Sequence, residues 1–194
     1  MKLLREIQRA AEIISAGELV AFPTETVYGL GANAFDPVAV ARIFETKQRP
    51  SFDPLIVHIC DISQVSELYD GNDERVFQLA EKFWPGPLTM VLPRKKAVPD
   101  IVTSGLDTVA VRMPANKIAL ELIRLSKTPI AAPSANKFGK ISPTEARHVK
   151  KQFPDLFTID GGKTRVGIES TVITLHEDGF EILRPGVITA DDLE

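Results

Sequence analysis

Glu18-Leu-Val-Ala-Phe22-Pro23-Thr24-Glu25-Thr26-Val27-Tyr28-Gly29-Leu30-Gly31-Ala-Asn-Ala34 carries most of the fold argument. Glu18 to Phe22 reads as a short buried strand, and Pro23-Thr24-Glu25-Thr26 breaks it with the hydroxyl-rich chemistry of a loop. Val27 to Ala34 then returns to an apolar run in which Gly29 and Gly31 permit close backbone approach. A plain surface loop seldom holds two hydroxyls, a carboxylate and a phenol between apolar strands. The segment therefore predicts a polar site at a strand's end.

Working outward, residues 2–16 place Leu3, Leu4, Ile7, Ala10, Ala11 and Ile14 at helical spacing, with Gly17 as a stop. On the other side Pro37 opens a helix through about Thr46. Leu55–Cys60, Leu88–Leu92, Thr108–Met113, Pro129–Ala132, Phe157–Asp160, Thr171–Leu175 and Phe180–Leu183 read as strands. Ser63–Tyr69, Asp73–Trp84, Asn116–Ser126 and Thr144–Phe153 read as helices, and Trp84-Pro85-Gly86-Pro87 as a sharp turn. Strands and helices are interspersed without strict alternation, and strands follow one another directly near the C-terminus. That pattern predicts an α/β fold with a mixed sheet flanked by helices, in one domain.

Composition narrows the function. The formal net charge is −3, which argues against a protein that simply coats nucleic acid. Residues 137–151 nevertheless hold Lys137, Lys140, Arg147, Lys150 and Lys151 against Glu145 alone, either a solvated face or a basic rim beside an anion site. The single Cys60 cannot form an internal disulfide and reads as a buried structural thiol. Met1–Arg9 lacks a signal-type apolar core, and no run is long enough to span a membrane, so the expected location is cytoplasmic. Gly162-Lys163-Thr164 resembles the end of a phosphate-binding loop, but Phe157 stands where the leading glycine belongs. His58, His148 and His176 lie far apart with no metal-ligand spacing, so no metal site is expected.

Three polar clusters remain. Lys47-x-Arg49-Pro50 follows a helix end, where an ammonium and a guanidinium fork can converge on one polyphosphate. Ala131-Ala132-Pro133-Ser134-Ala135-Asn136 runs from an apolar strand into Ser-x-Asn, at the strand end where α/β proteins commonly hold ligands. The third is the Pro23–Gly31 segment. Arg112, within Val109-Ala110-Val111-Arg112-Met113-Pro114, needs an anionic partner, either a ligand or a structural carboxylate.

These motifs, with Trp84-Pro-Gly-Pro-Leu-Thr, Ser170-Thr-Val and Leu183-Arg-Pro-Gly186, strongly resemble the YrdC family of threonylcarbamoyl-adenylate synthases, in order from about residue 5 to 188. The resemblance is to the short, single-domain form. It implies a twisted mixed sheet around a positively charged cavity. It also implies formation of threonylcarbamoyl-adenylate and pyrophosphate from L-threonine, bicarbonate or CO₂, and ATP carrying Mg²⁺. This is the first step of a tRNA modification, with possible handover to a downstream tRNA threonylcarbamoyl transferase complex and a weak tRNA contact. By motif position, Lys47, Arg49, Thr108, Ser134, Asn136, Ser142 and Arg184 match the nucleotide side, Lys47 and Arg49 also as the catalytic cations. Thr26, Tyr28, His58, Arg112, Ala132 and Ser170 match the threonine side. Asp53 departs from the pattern, being an acid where the family often carries a neutral or basic residue. Two rival readings are an RNA-binding module without catalysis and a carbamoyl-adenylate enzyme with another acceptor.

Overall fold

The computed structural model describes residues 2–48 and 53–194. Eight strands form one sheet in the order β1-β2-β6-β3-β5-β4-β7-β8. Their ranges are β1 Val20–Pro23, β2 Tyr28–Asn33, β3 Ile56–His58, β4 Leu88–Pro93, β5 Thr108–Arg112, β6 Ile130–Ala131, β7 Thr171–His176 and β8 Gly179–Arg184. The sheet is mixed, as the element order predicted. β3 pairs with β5, and β4 with β7, in parallel, while the other neighbours are antiparallel.

Helix α1 (Lys2–Ser15) buries the stripe Ile7, Ala10, Ala11 and Ile14 against α6 (Lys117–Ser126) and the β1–β2 edge. α2 (Pro37–Lys47) starts where Asp36 accepts hydrogen bonds from the Val38 and Ala39 amides, with Pro37 preset for the first turn. Gln48 ends it in the left-handed conformation, at φ 54°. α3 (Val65–Leu68), α4 (Glu74–Phe83), α5 (Asp100–Thr103), α7 (Ala146–Gln152) and α8 (Ala190–Leu193) complete the set. None of the described helices is long and apolar enough to cross a membrane.

Side chains alternate across a strand, and that alternation positions the site. Val57, Met90, Val109, Val111 and Ile173 enter the main core with α2, α3 and α4. Ile56, His58, Val91, Ala110, Arg112 and Val172 line a cavity on the opposite face. Gly31 shows why β2 needs glycine within the strand, since a Cβ there would lie 2.7 Å from both Ile130 Cγ2 and Phe22 Cε1.

Some elements differ from the sequence reading. Phe157–Asp160 makes no strand and meets β1 at one bridge, with Ala21 N donating to Phe157 O at 2.8 Å and Ile159 N to Ala21 O at 2.9 Å. Pro154 before it and Gly161-Gly162 after it leave little chain to pair. β3 is three residues long where six were expected. The helix read at Ser63–Tyr69 divides into a 3₁₀ turn, Ile62–Gln64, and the single turn α3. α5 and α8 are four residues each, too short to show a period. Cys60 is half-buried, not fully enclosed, and its thiol sits 3.4 Å from Gln64 Oε1. Burial, and then Asp61, push its pKa up, so it is no thiolate nucleophile.

Candidate active site

The cavity on the open sheet face has a volume of about 360 Å³, within the range of small-molecule sites. Thr26, His58, Arg112, Ala132, Ser134, Ser170 and Arg184 all line it. Seven positions spread from residue 26 to 184 are thus brought together by three strands and three loops. The walls are of mixed charge among the described residues. Asp53 and Glu169 line it together with Arg112 and Arg184.

Arg112 is held on three sides. Its Nη2 donates to Glu25 Oε1 at 2.6 Å, its Nη1 to Thr26 Oγ1 at 3.0 Å, and its Nε to Gly86 O at 3.2 Å. The anionic partner demanded by an arginine on an apolar strand is therefore Glu25. That carboxylate also accepts from the Ala115 amide at 3.0 Å. Burial draws the Arg112 pKa down, and Glu25 opposes that by charge and hydrogen bond. Five N–H donors less these three contacts leave two for a ligand.

His58 sits beside it, edge-on to Phe22 with ring centroids 6.1 Å apart. Burial, with Arg112 second, lowers its pKa to about 3, so the imidazole is neutral at pH 7. Its Nδ1 is buried without a hydrogen-bond partner among the described residues. Ser170 Oγ lies 2.8 Å from Thr89 Oγ1 and accepts from Arg184 Nη2 at 2.9 Å. Arg184 also donates to Glu169 and, through Nε and Nη2, to Ser170 O. Burial pushes the Glu169 carboxyl up. Arg184, Ser142 and Ser134, with the charge of Lys47, outweigh that and hold it below the usual carboxylate range.

Other sequence-predicted residues support the cavity from outside its wall. Lys47 was expected in a loop, but it is the last residue of α2 and 1% exposed. Its ammonium donates to the Ser134 and Asn136 carbonyls, so it props the Ser-x-Asn turn while its charge reaches Glu169. Asn136 Nδ2 donates to Lys137 O and Lys140 O at 2.9 and 2.7 Å, and its Oδ1 is buried without a partner among the described residues. Ser142 Oγ donates to Glu169 Oε1 at 3.0 Å. Thr108 shares a β5 face with Ala110 and Arg112 but lies at the far end of the strand.

Tyr28 is not brought to the cavity. Its ring is fully buried, and its hydroxyl donates to Gly162 O at 2.7 Å while accepting from Gly161 N at 3.1 Å. Alternation explains this, since the neighbouring Gly29 is the β2 residue that lines the cavity. Arg49 lies outside the described residues. Sequence reasoning missed Glu169 as a site residue and gave Thr24 and Glu25 no role of their own. Arg112 on its apolar strand was the only pointer, because it called for an acid somewhere.

The Sua5/YciO/YrdC family model, described as "Telomere recombination", matches residues 12–186. The chain belongs to this family. A threonylcarbamoyl-AMP synthase of Pyrococcus abyssi is 56% identical over 191 residues, covering 97% of this chain and 56% of that protein. A threonylcarbamoyl-AMP synthase of Bacillus subtilis is 52% identical over 192 residues, again covering 97% and 56%. A crystal structure of P. abyssi Sua5 complexed with L-threonine superposes with a TM-score of 0.94 at 57% identity, over 96% of this chain and 55% of that one. The chain therefore spans about half the length of the curated relatives it matches.

Proposed function

We propose that this member of the Sua5/YciO/YrdC family is an L-threonylcarbamoyladenylate synthase, a nucleotidyltransferase. The observation that carries the reading is a buried guanidinium, Arg112, keeping two donors for a carboxylate in a cavity whose wall also presents the Thr26 and Ser170 hydroxyls. Such a site suits a small hydroxy-amino acid. The relatives named threonylcarbamoyl-AMP synthase, and the threonine complex of one relative, support the same choice.

Threonine's amine and bicarbonate give an N-carboxylate with loss of water. One oxygen of that carbamate attacks the α-phosphorus of ATP, and pyrophosphate leaves with the bonding electrons. No covalent enzyme intermediate is needed, so catalysis is positioning and charge neutralisation. Arg112 binds the threonine carboxylate in a planar fork. Arg184 offers a remaining N–H to the nucleotide, Ser142 and Ser134 hold the Glu169 carboxylate beside it, and Lys47 and Arg49 offset charge on the phosphates. Mg²⁺ enters on the triphosphate as part of the substrate, keeping most of its ligands from phosphate and water. The mixed anhydride is labile in water, which favours direct passage to a tRNA threonylcarbamoyl transferase in the cytoplasm, helped by any weak tRNA contact.

The test is pyrophosphate release from ATP and bicarbonate with each amino acid in turn. L-Threonine supports release, and L-valine, which lacks the hydroxyl, does so far more weakly, because a buried polar pocket rejects an analogue without the matching group. Equal release with valine, or none with threonine, defeats the proposal.

A further inference from the structure

Thr26 is flanked by contacts that determine which way its hydroxyl proton points. Thr24 Oγ1 lies 2.7 Å from Val27 O. A carbonyl cannot donate, so the one Thr24 hydroxyl proton belongs to that bond. Thr24 Oγ1 and Thr26 Oγ1 are both buried and 2.8 Å apart, closer than the 3.2 Å at which the Thr26 and Val27 amides approach Thr24 Oγ1, so the short contact is a hydrogen bond with a proton between the two oxygens. Thr24 has already given its own, so Thr26 is the donor.

Thr26 Oγ1 in turn accepts from Arg112 Nη1, and Glu25 and the Gly86 carbonyl hold that guanidinium in place. A hydroxyl has one proton and two lone pairs. With the proton given to Thr24 and one lone pair taken by Arg112, only a lone pair remains for the cavity that Thr26 lines.

We infer that Thr24 is a specificity-determining positioning residue that makes Thr26 a pure hydrogen-bond acceptor, so that the ligand group facing it must be a donor. Resting on the threonine reading above, that donor is the β-hydroxyl of the amino acid. The site thus selects for the proton on that oxygen, not merely for a polar atom of the right size. A fluorine in the same place meets lone pair against lone pair.

The experiment compares L-threonine with 2-amino-3-fluorobutanoic acid, in which fluorine replaces the hydroxyl, by pyrophosphate release and by calorimetric binding. The intact protein prefers threonine by roughly ten- to hundredfold in kcat/KM, the effect of leaving a buried acceptor unmatched. Thr24→Val frees the Thr26 proton to turn into the cavity, and the preference falls at least about fivefold. Thr24→Ser keeps the acceptor and keeps the preference. Equal use of the two amino acids by the intact protein overturns the inference without any variant. An unchanged preference in a folded Thr24→Val protein overturns it as well. No pyrophosphate from threonine defeats the functional reading instead. Calorimetry then still decides the inference, and equal affinities for the two amino acids overturn it.

Discussion

Replacing Arg112 with methionine removes a charge and leaves its partner behind. The Arg112 and Glu25 side chains are 4% and 7% exposed, with Nη2 and Oε1 2.6 Å apart. At that distance the attraction is about 6 kcal/mol for an effective dielectric constant near 20. Desolvation of both charges offsets most of it, so the intact pair adds little net stability. A stranded buried carboxylate is another matter, and typically costs about 3–5 kcal/mol. The Ala115 amide still donates to Glu25, which places the expected loss near the lower end, about 3 kcal/mol. In a domain of this size that lowers Tm by roughly 6–12 °C. Glu25→Gln combined with Arg112→Met removes both charges and keeps a side chain that can accept from Ala115. The double variant is therefore more stable than Arg112→Met alone, with a coupling energy of at least about 1 kcal/mol. Urea unfolding of the four proteins gives the cycle. Additive losses below about 1 kcal/mol each would refute the claim that Glu25 is the counter-charge on which Arg112 depends.

Lys47→Met leaves the Ser134 and Asn136 carbonyls without their shared donor, so it lowers stability by about 1–3 kcal/mol as well as suppressing pyrophosphate release; unchanged melting together with normal turnover contradicts that placement. His58 titrates far below its unfolded value of 6.5, at about 3, because burial and Arg112 disfavour the imidazolium. Its folded pKa is depressed, so the unfolded chain binds the proton more readily between those values. The stability that depends on neutral His58 is complete above about pH 6.5 and is lost as pH falls towards 3. The Tm advantage of the native protein over His58→Asn shrinks steadily from pH 7 to 4, and a flat difference over that range rules the neutral buried imidazole out.

Local chemistry made much of this molecule legible in the sequence. The α1 stripe, the Pro37 helix start and the glycines of β2 each follow from rules that reach only a few residues. Seven of the predicted site residues meet in one cavity because strand ends and loops are where such motifs collect. The failures share one cause, dependence on partners distant in the chain. Lys47 looked like a surface cation because its neighbours in sequence are polar, but it is buried by a turn 87 residues away. Tyr28 was matched to the threonine side by motif position, although strand alternation turns it away from the cavity that Gly29 lines, and its hydroxyl meets Gly162, 134 residues away. Glu25 and Glu169 acquire roles only when Arg112 and Arg184 arrive beside them. Single-turn helices α5 and α8 carry no periodic signal at all.

The central claim is that carbon from bicarbonate ends between threonine's nitrogen and the α-phosphate of ATP. Incubation of the protein with L-threonine, ATP, Mg²⁺ and ¹³C-bicarbonate, followed by rapid mass spectrometry, tests it directly. The account predicts an adenylate that contains threonine and carries the ¹³C label, formed in equal amount to pyrophosphate. Pyrophosphate without a labelled adenylate, or an adenylate of threonine lacking the bicarbonate carbon, would contradict it.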